Sequence, residues 1–150
     1  PAPLQAGDVL YAGSFVEEDP WVPRVRSIPP VWPQRSQELL TVILGPRSQW
    51  FTTNAIFDFL WQEYIVSGNS DRIGVRLEGP KPLKRAVTEE LASEGTVRGA
   101  IQIPANGQPV IFGPDHPVTG GYPVIAVLSA RSADRVAQLR PGDSVRFAVR

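Results

Sequence analysis

The alternation of apolar and polar residues predicts short strands along much of the chain. In "GVRLEG" (74–79), Val75 and Leu77 alternate with Arg76 and Glu78, so the two pairs point to opposite faces of a strand. Similar runs, bounded by glycine, proline or polar turns, predict strands at 38–44, 64–67, 99–104, 109–113, 123–129 and 144–150. Strands this short and frequent are typical of a barrel or a sandwich.

Helical spacing of apolar residues appears in only two segments. Residues 52–64 carry one apolar stripe, and any of the polar residues 52–54 could cap the helix. Residues 132–139 predict a shorter helix with Ser132 as its cap. Two helices among many strands favour a closed or sandwiched β architecture. They disfavour a doubly wound sheet, in which strands alternate with long helices.

The N-terminal part of the chain is rich in proline. Residues 8–12 alternate weakly and could form a strand, whereas residues 17–33 hold five of the sixteen prolines. Because proline fixes φ and lacks a backbone donor, no regular element should run through 17–33. We interpret this segment as an extended loop that wraps over the domain's own core, with a partner-binding arm as the alternative. Its apolar contacts would come from Trp21, Val25, Ile28 and Trp32.

Composition excludes several classes of protein. At 150 residues, with 42% apolar and 20% charged residues, the chain suits one globular domain. Fifteen basic and fifteen acidic residues balance, which argues against nucleic acid or an anionic membrane as a partner, since both require a basic surface. No apolar run reaches the ~18 residues of a membrane span, and "PAPLQAGDVL" does not have the pattern of a signal peptide.

The chain has no cysteine and one histidine. Disulfides and thiolate metal sites are therefore excluded, and no metal site is expected. The lack of cysteine fits a cytoplasmic protein. The chain also lacks methionine and starts at Pro1, which leads us to expect that it is a piece of a longer protein.

Familiar catalytic and phosphate-binding patterns are missing. The single histidine, His116, lies in a loop beside Pro117, and no serine stands in a G-x-S-x-G context. We expect His116 to be an exposed loop residue. The patterns G-x-x-x-x-G-K-[ST] and G-x-G-x-x-G are absent as well, so any nucleotide would have to be bound in another way.

The connection "DHPVTGGYP" (115–123) is longer than two neighbouring strands require. Paired glycines reach positive φ or let the backbone approach another group closely. A Thr-Gly-Gly turn also offers N–H groups and a hydroxyl to a carboxylate, phosphate or ureido oxygen. A wide strand connection would have the same sequence, so both interpretations stay open.

Polar residues on the predicted strands also allow two interpretations. Gln102 lies between Ile101 and Ile103 and faces away from them. Because strand faces usually alternate between core and solvent, we favour a solvent-facing Gln102. The alternative is a surface that lines a pocket at the mouth of a small barrel.

Four motifs follow one another in order: "SDRIGVRLEGP" (70–80), "SEGTVRGAIQIPANGQPVI" (93–111), "TGGYPVIAVLSA" (119–130) and "LRPGDSVRF" (139–147). Together they resemble the biotin-dependent carboxyltransferase-like family, also called allophanate hydrolase subunit 2. This family includes the C subunit of 5-oxoprolinase, the KipA proteins and part of the carboxyltransferase domain of urea carboxylase. The resemblance is strong over 64–150 and loose over 1–63.

The resemblance implies a mainly β fold, a cyclophilin-like β-barrel with two short helices. Members of the family are about twice as long as this chain and carry a second barrel-like half before this one. We therefore expect residues 1–150 to be a single cyclophilin-like domain and the C-terminal half of a two-lobed subunit. Within it, residues 1–37 would form the proline-rich arm and residues 38–150 the barrel.

The resemblance also implies a function. We expect part of an ATP-dependent amide or lactam hydrolase of the 5-oxoprolinase type, with ATP bound through the assembled complex. The alternatives are carboxyl transfer from carboxybiotin to urea or a related amide, with biotin supplied by a partner, and a non-catalytic KipA-like module. Expected partners are a cyclophilin-like subunit of the KipI type (the B subunit of 5-oxoprolinase), a lactam-utilisation subunit and a small-molecule substrate. A peptidyl-prolyl isomerase is a weaker option, since fold alone does not define function.

Site residues are carried over from the matching motifs. The expected catalytic residues are Arg76, Glu78 and Glu94, as proton-transfer groups or their charged partners. The expected substrate-binding residues are Arg72, Gln102, Gln108, Asp115, Thr119, Gly120, Gly121 and Tyr122. An in-strand surface pair remains the alternative for Arg76 and Glu78.

One departure from the family's pattern lies in the same loop. Relatives typically read Gln-Thr-Thr-Gly-Gly-Tyr, whereas Pro117 and Val118 stand here in place of the first two residues. Two polar side chains are lost and one φ angle is restricted. If those side chains bind substrate in relatives, the substrate or the activity of this protein would differ.

Overall fold

The computed structural model describes residues 4–11 and 37–150. The chain divides into two compact units, residues 1–33 and residues 34–150. In the first unit, residues 4–11 are exposed and contain a turn in which Asp8 N donates to Gln5 O at 3.1 Å. The strand predicted at 8–12 is wrong for residues 8–11, because they have no strand partner. Residue 12 and the proline-rich segment 17–33 lie outside the described residues.

The second unit is built on a closed barrel of seven strands in the order β1-β8-β5-β6-β3-β2-β9. The described strands are β1 (Glu38–Leu44), β2 (Tyr64–Val66), β3 (Gly74–Glu78), β4 (Glu94–Gly95), β5 (Ala100–Gln102), β6 (Val110–Phe112), β7 (Thr119–Gly120), β8 (Val124–Leu128) and β9 (Ser144–Val149). Neighbouring barrel strands are antiparallel except β1 and β9, whose parallel pairing closes the barrel. The predicted mainly β barrel is therefore confirmed.

Each strand predicted from alternation after residue 37 is found, with ends shifted by at most two residues. Strands β4 and β7 were not predicted. They pair only with each other, as a two-stranded ribbon apart from the barrel. Each has two residues, which is too short for alternation to be visible.

The barrel interior is filled by the apolar residues that alternation assigns to one face. Leu40, Ile101, Ile111 and Val145 are fully buried there. At one end the ring of Phe147 stacks on Phe59 of helix α1 (Thr53–Trp61), with ring centroids 4.5 Å apart. This packing explains why the amphipathic stripe of α1 faces the barrel.

Helix α1 begins and ends where local interactions allow it. Thr52 is its cap, since its Oγ1 accepts a hydrogen bond from Ala55 N at 3.1 Å. The helix ends at Trp61 because Gln62 takes an extended conformation. The helix predicted at 52–64 is therefore confirmed, with a shorter C-terminal end.

The second helix, α2 (Ala130–Val136), starts two residues before the predicted segment. Its cap is Ser129, whose Oγ accepts from Ser132 N at 3.3 Å. The prediction of Ser132 as the cap is wrong, because β8 ends at Leu128 and the helix begins almost at once. Ser132 is buried inside the helix, and its Oγ accepts from Thr41 N at 2.8 Å.

Two features are absent from the described residues. No helix in 4–11 or 37–150 is long and apolar enough to cross a membrane. The same residues contain no group of three or more acidic, histidine or cysteine side chains placed to hold a metal ion.

Candidate functional site

A row of paired residues crosses the outer face of the barrel. Arg76 on β3 pairs with Val110 on β6, Val110 with Gln102 on β5, and Gln102 with Val124 on β8. Directly paired residues on antiparallel strands share a face. Because their neighbours Ile101 and Ile111 are buried in the barrel interior, this row lies outside the barrel.

Gln102 is nevertheless buried, with an exposed fraction of only 5%. Its Nε2 donates a hydrogen bond to the carbonyl oxygen of Tyr122 at 3.0 Å. The favoured prediction of a solvent-facing Gln102 is therefore wrong. The physical reason is that the segment around Tyr122 lies over this part of the outer face.

Gly120 makes that coverage possible. A Cβ atom at Gly120 would lie 2.6 Å from Nε2 of Gln102, closer than real contacts allow. Neither Gly120 nor Gly121 has positive φ, and a Cβ at Gly121 would meet only the Leu91 carbonyl oxygen at 3.6 Å. Of the two roles predicted for the glycine pair, close approach therefore applies to Gly120 and positive φ applies to neither.

The β4–β7 ribbon brings Glu94 to the same place. Glu94 pairs with Gly120, and Gly95 pairs with Thr119. The ribbon is extended by a hydrogen bond from Thr96 N to the Val118 carbonyl oxygen at 2.9 Å. Residues far apart in the sequence thus meet above Gln102.

Arg47 binds Glu94 through both carboxylate oxygens. Its Nε donates to Oε2 of Glu94 at 3.1 Å, and its Nη2 donates to Oε1. The Arg47 hydrogen bond holds the pKa of the Glu94 carboxyl below its ordinary value. The Arg47 guanidinium also lies 5.7 Å from the ring centre of Trp50, and Arg47 N donates to the Val124 carbonyl oxygen at 3.3 Å. Glu94 is consequently a fixed, ionised group.

A second arginine, Arg85, lies against Tyr122. Its Cζ is 5.8 Å from the centre of the Tyr122 ring, and its Nη2 donates to the Ile103 carbonyl oxygen at 2.6 Å. Tyr122 keeps 46% of its surface exposed. Sequence reasoning missed Arg47 and Arg85, because neither lies on a predicted strand. In the sequence, the one feature that could have drawn attention to Arg47 is its position directly after Gly45-Pro46, where the strand at 38–44 ends.

The residues that meet here are called the outer-face cluster, and they are Arg47, Arg85, Glu94, Gln102, Gly120 and Tyr122. Four of them were predicted as site residues. The cluster combines two guanidinium groups, an ionised carboxylate, an amide and a half-exposed aromatic ring. Such a surface can bind a small polar molecule that carries negative charge or a polarised carbonyl group.

Arg72 and Asp115 form an ion pair elsewhere on the barrel. Arg72 Nε donates to Asp115 Oδ2 at 2.7 Å and Nη2 to Oδ1 at 3.1 Å, and the hydrogen bonds hold the pKa of the Asp115 carboxyl below its ordinary value. Both side chains are more than half exposed. Arg72 lines a cleft of about 330 Å³ whose apolar wall includes Val66, Val75, Ile111, Leu128, Val136 and Leu139.

The remaining predicted residues divide between structural and exposed positions. The side-chain amide of Gln108 is hydrogen-bonded to the backbone of Gly79. Its Oε1 accepts from Gly79 N at 2.7 Å, and its Nε2 donates to Gly79 O at 3.1 Å. Arg76 and Glu78 are exposed on β3, and neither side chain has a partner among the residues that the structure describes. Thr119 and Gly121 are exposed in the loop. The roles assigned to these residues stay predictions.

His116 is half-buried, not fully exposed as expected. Its ring stacks on Phe112 with centroids 5.9 Å apart. Its Nδ1 lies 2.8 Å from the Pro117 carbonyl oxygen. Nδ1 also lies 3.2 Å from Thr96 Oγ1, so His116 contacts both its own loop and the residue that follows β4.

Comparison with protein families and with curated proteins identifies relatives of the chain. A family model described as carboxyltransferase domain, subdomain A and B, matches residues 1–149. The chain is 34% identical over 145 residues to the C subunit of 5-oxoprolinase from Escherichia coli K12, covering 96% of this chain and 44% of that protein. It is 32% identical over 161 residues to urea amidolyase of Saccharomyces cerevisiae, covering 96% of this chain and 9% of that protein.

Solved structures agree with these matches. The crystal structure of Kluyveromyces lactis urea carboxylase superimposes with a TM-score of 0.71 and 30% identity, over 77% of this chain and 11% of that one. The structure of TTHA0988 gives a TM-score of 0.65 and 30% identity, over 77% of this chain and 22% of that one. The chain thus spans less than half the length of each of these relatives.

Proposed function

We propose, from the premise that this chain belongs to the family of the carboxyltransferase domain, subdomain A and B, that it works in an enzyme of the 5-oxoprolinase type. In such an enzyme it would bind a small amide or lactam substrate. The family resemblance inferred from the four sequence motifs is confirmed. The chain is related to components of enzymes, and the hydrolytic role is our proposal.

The observation that supports this proposal most is the meeting of Glu94, Gln102, Gly120 and Tyr122 in the outer-face cluster. Two short strands and one hydrogen bond bring them together. All four lie within the motifs that carry the family resemblance. The pairing of β4 with β7 alone would not require Arg47 and Arg85 in this cluster.

The chemistry of the cluster suits an amide group. Guanidinium N–H groups near a carbonyl oxygen stabilise the negative charge that develops there during attack. The carboxylate of Glu94 is held by Arg47, so it would act by charge and orientation more readily than by accepting a proton. Arg76, Glu78 and Thr119 remain candidate substrate contacts on the accessible side.

Partner chains are part of the proposal. One relative is the C subunit of 5-oxoprolinase, a designation that implies further subunits. We expect ATP to be bound through the assembled complex, with a KipI-type subunit as the direct partner and a lactam-utilisation subunit beside it. The sequence of this chain contains no P-loop pattern, so it would supply the substrate surface.

The test is co-expression with the KipI-type and lactam-utilisation partners, followed by an assay of ATP hydrolysis with and without 5-oxoproline. We expect hydrolysis that depends on 5-oxoproline. Activity unchanged in both Arg76→Ala and Thr119→Ala would contradict the roles assigned to those residues. A stable complex without any turnover would favour a non-catalytic KipA-like module instead.

Carboxyl transfer is the second candidate, favoured by the likeness to urea amidolyase. In this case the cluster would hold urea or a related amide while a partner presents carboxybiotin. Urea-dependent release of inorganic phosphate by a complex with a biotin carboxylase would support it. The absence of that activity, together with 5-oxoproline-dependent hydrolysis, would reject it.

A further inference from the structure

Arg85 and Arg146 are the two partly buried arginines that have no carboxylate partner among the described residues. Arg146 donates to the Trp61 carbonyl oxygen, and Arg85 differs from it in having a buried Nε without an acceptor. Several arginines in 4–11 and 37–150 have a carboxylate within salt-bridge distance, namely Arg47, Arg72, Arg98 and Arg135. Arg85 is partly buried and has no carboxylate partner in that part of the chain. A partly buried positive charge without a counter-charge is unfavourable unless a ligand or partner supplies one.

The guanidinium of Arg85 also has spare hydrogen-bonding capacity. Its Nη2 donates to the neutral carbonyl of Ile103, whereas its buried Nε has no acceptor. The Tyr122 ring covers one side of the group. An arginine offers five N–H donors in a planar fork, and most of these have no protein acceptor among the described residues.

Gln102 contributes an independent observation at the same place. The residue is 5% exposed, and its Nε2 is engaged with the Tyr122 carbonyl oxygen. Its Oε1 has no hydrogen-bond partner in the part of the chain that the structure describes. Because this oxygen is not buried, it can accept a hydrogen bond from a ligand. Both side chains contact Tyr122, Gln102 at its carbonyl oxygen and Arg85 at its ring.

We propose that Arg85 binds the carboxylate of the ligand and that Oε1 of Gln102 accepts the ligand's amide N–H. The ligand class is a small lactam or amide that carries a carboxylate. This assignment rests on the proposed function, because it names the substrate contacts of that same site. Tyr122 is then the half-exposed wall against which the apolar part of the ligand packs.

The test measures binding of three probes to the purified chain by isothermal titration calorimetry. The probes are 5-oxoproline, 2-pyrrolidinone, which lacks the carboxylate, and N-methyl-5-oxoproline, which lacks the amide N–H. We expect 5-oxoproline to bind about 10- to 100-fold more tightly than 2-pyrrolidinone, the range for a charged hydrogen bond. N-methyl-5-oxoproline should also bind more weakly than 5-oxoproline, because it has no amide N–H to donate to Oε1 of Gln102. This comparison tests the role of Gln102 without a substitution in the protein.

The Arg85→Gln variant completes the comparison. It should lower the affinity for 5-oxoproline to the level of 2-pyrrolidinone and leave 2-pyrrolidinone unaffected. Arg131→Gln, at an exposed position on α2, is the matched control and should change neither. If Arg85→Gln lowers the thermal midpoint, Arg85→Lys separates folding from binding, because it keeps the charge and should keep part of the preference for 5-oxoproline over 2-pyrrolidinone.

The outcomes separate the two proposals. Equal affinity for 5-oxoproline and 2-pyrrolidinone, no binding of either, or no effect of Arg85→Gln would overturn the carboxylate site, even if the complex hydrolyses ATP. Arg85-dependent binding of 5-oxoproline with no hydrolysis by the co-expressed complex would retain the site and reject the hydrolase function.

Discussion

The side-chain amide of Gln102 donates to the carbonyl oxygen of Tyr122 across 3.0 Å, from the outer face of β5 to the segment that precedes β8. This hydrogen bond holds the Thr-Gly-Gly-Tyr segment down on the barrel. A glycine-rich turn thereby becomes a fixed surface beside Arg85 and Glu94. The shape and the charge of that surface depend on a small number of contacts, each of which can be removed by substitution.

Gly120→Ala is expected to destabilise the protein, and Gly121→Ala is not. The new Cβ at Gly120 would lie 2.6 Å from Gln102 Nε2 and 3.3 Å from Thr96 Cγ2, so the Gln102–Tyr122 hydrogen bond should be lost at a cost of about 1 kcal/mol. Chemical denaturation of both variants measures this difference. Equal stability of the two variants would contradict the close approach at Gly120.

Arg47→Gln should raise the pKa of the Glu94 carboxyl toward its ordinary value. In the folded protein Arg47 lowers this pKa, so the pair stabilises the protein above the ordinary pKa of glutamate. That contribution is lost as the pH falls through the lowered pKa. A carbon-detected NMR titration of Glu94 measures the shift. The matched control is Arg72→Gln, which should shift Asp115 upward and leave Glu94 unchanged.

Gln108→Ala should destabilise the fold, because the side chain of Gln108 satisfies both backbone groups of Gly79. Leaving these groups without partners costs about 1–3 kcal/mol. Urea denaturation checks the loss. If stability stays unchanged while substrate affinity falls, Gln108 is a binding residue and its contacts with Gly79 are incidental.

Ser129→Ala should cost about 1 kcal/mol of stability, the usual effect of losing a helix cap. Ser129 Oγ accepts from Ser132 N at the start of α2. Thermal unfolding of the variant measures the effect, and Ser129→Asp, which can also cap a helix, should restore most of it. A variant as stable as the wild type would show that the cap has little energetic weight.

Much of the barrel could be predicted from sequence because its strands alternate. Leu77 and Ile111 are buried where alternation places them. The β4–β7 ribbon could not be predicted, since two-residue strands carry no period. The start of α2 was misplaced because Ser129 and Ser132 are equally good caps by residue type.

The site was harder to predict than the fold. Family motifs suggested Glu94, Gln102, Gly120 and Tyr122 as candidates, and the fold brings these four together, whereas alternation alone would have placed Gln102 in solvent. No local pattern could reveal that loop 119–123 covers that strand face. Arg85 follows Lys84 in a segment without periodicity, so only tertiary structure shows that its charge lacks a partner among the described residues.

The parallel pairing of β1 with β9 has a consequence for how the chain acquires its shape. Glu38 pairs with Val145, and β9 also pairs with β2, so the last strand joins two strands from the start of the barrel. Contacts this distant in sequence close a large loop and slow folding. During synthesis the barrel cannot close until residues 144–149 have left the ribosome, and until then the neighbouring edges of β1 and β2 have no strand to pair with.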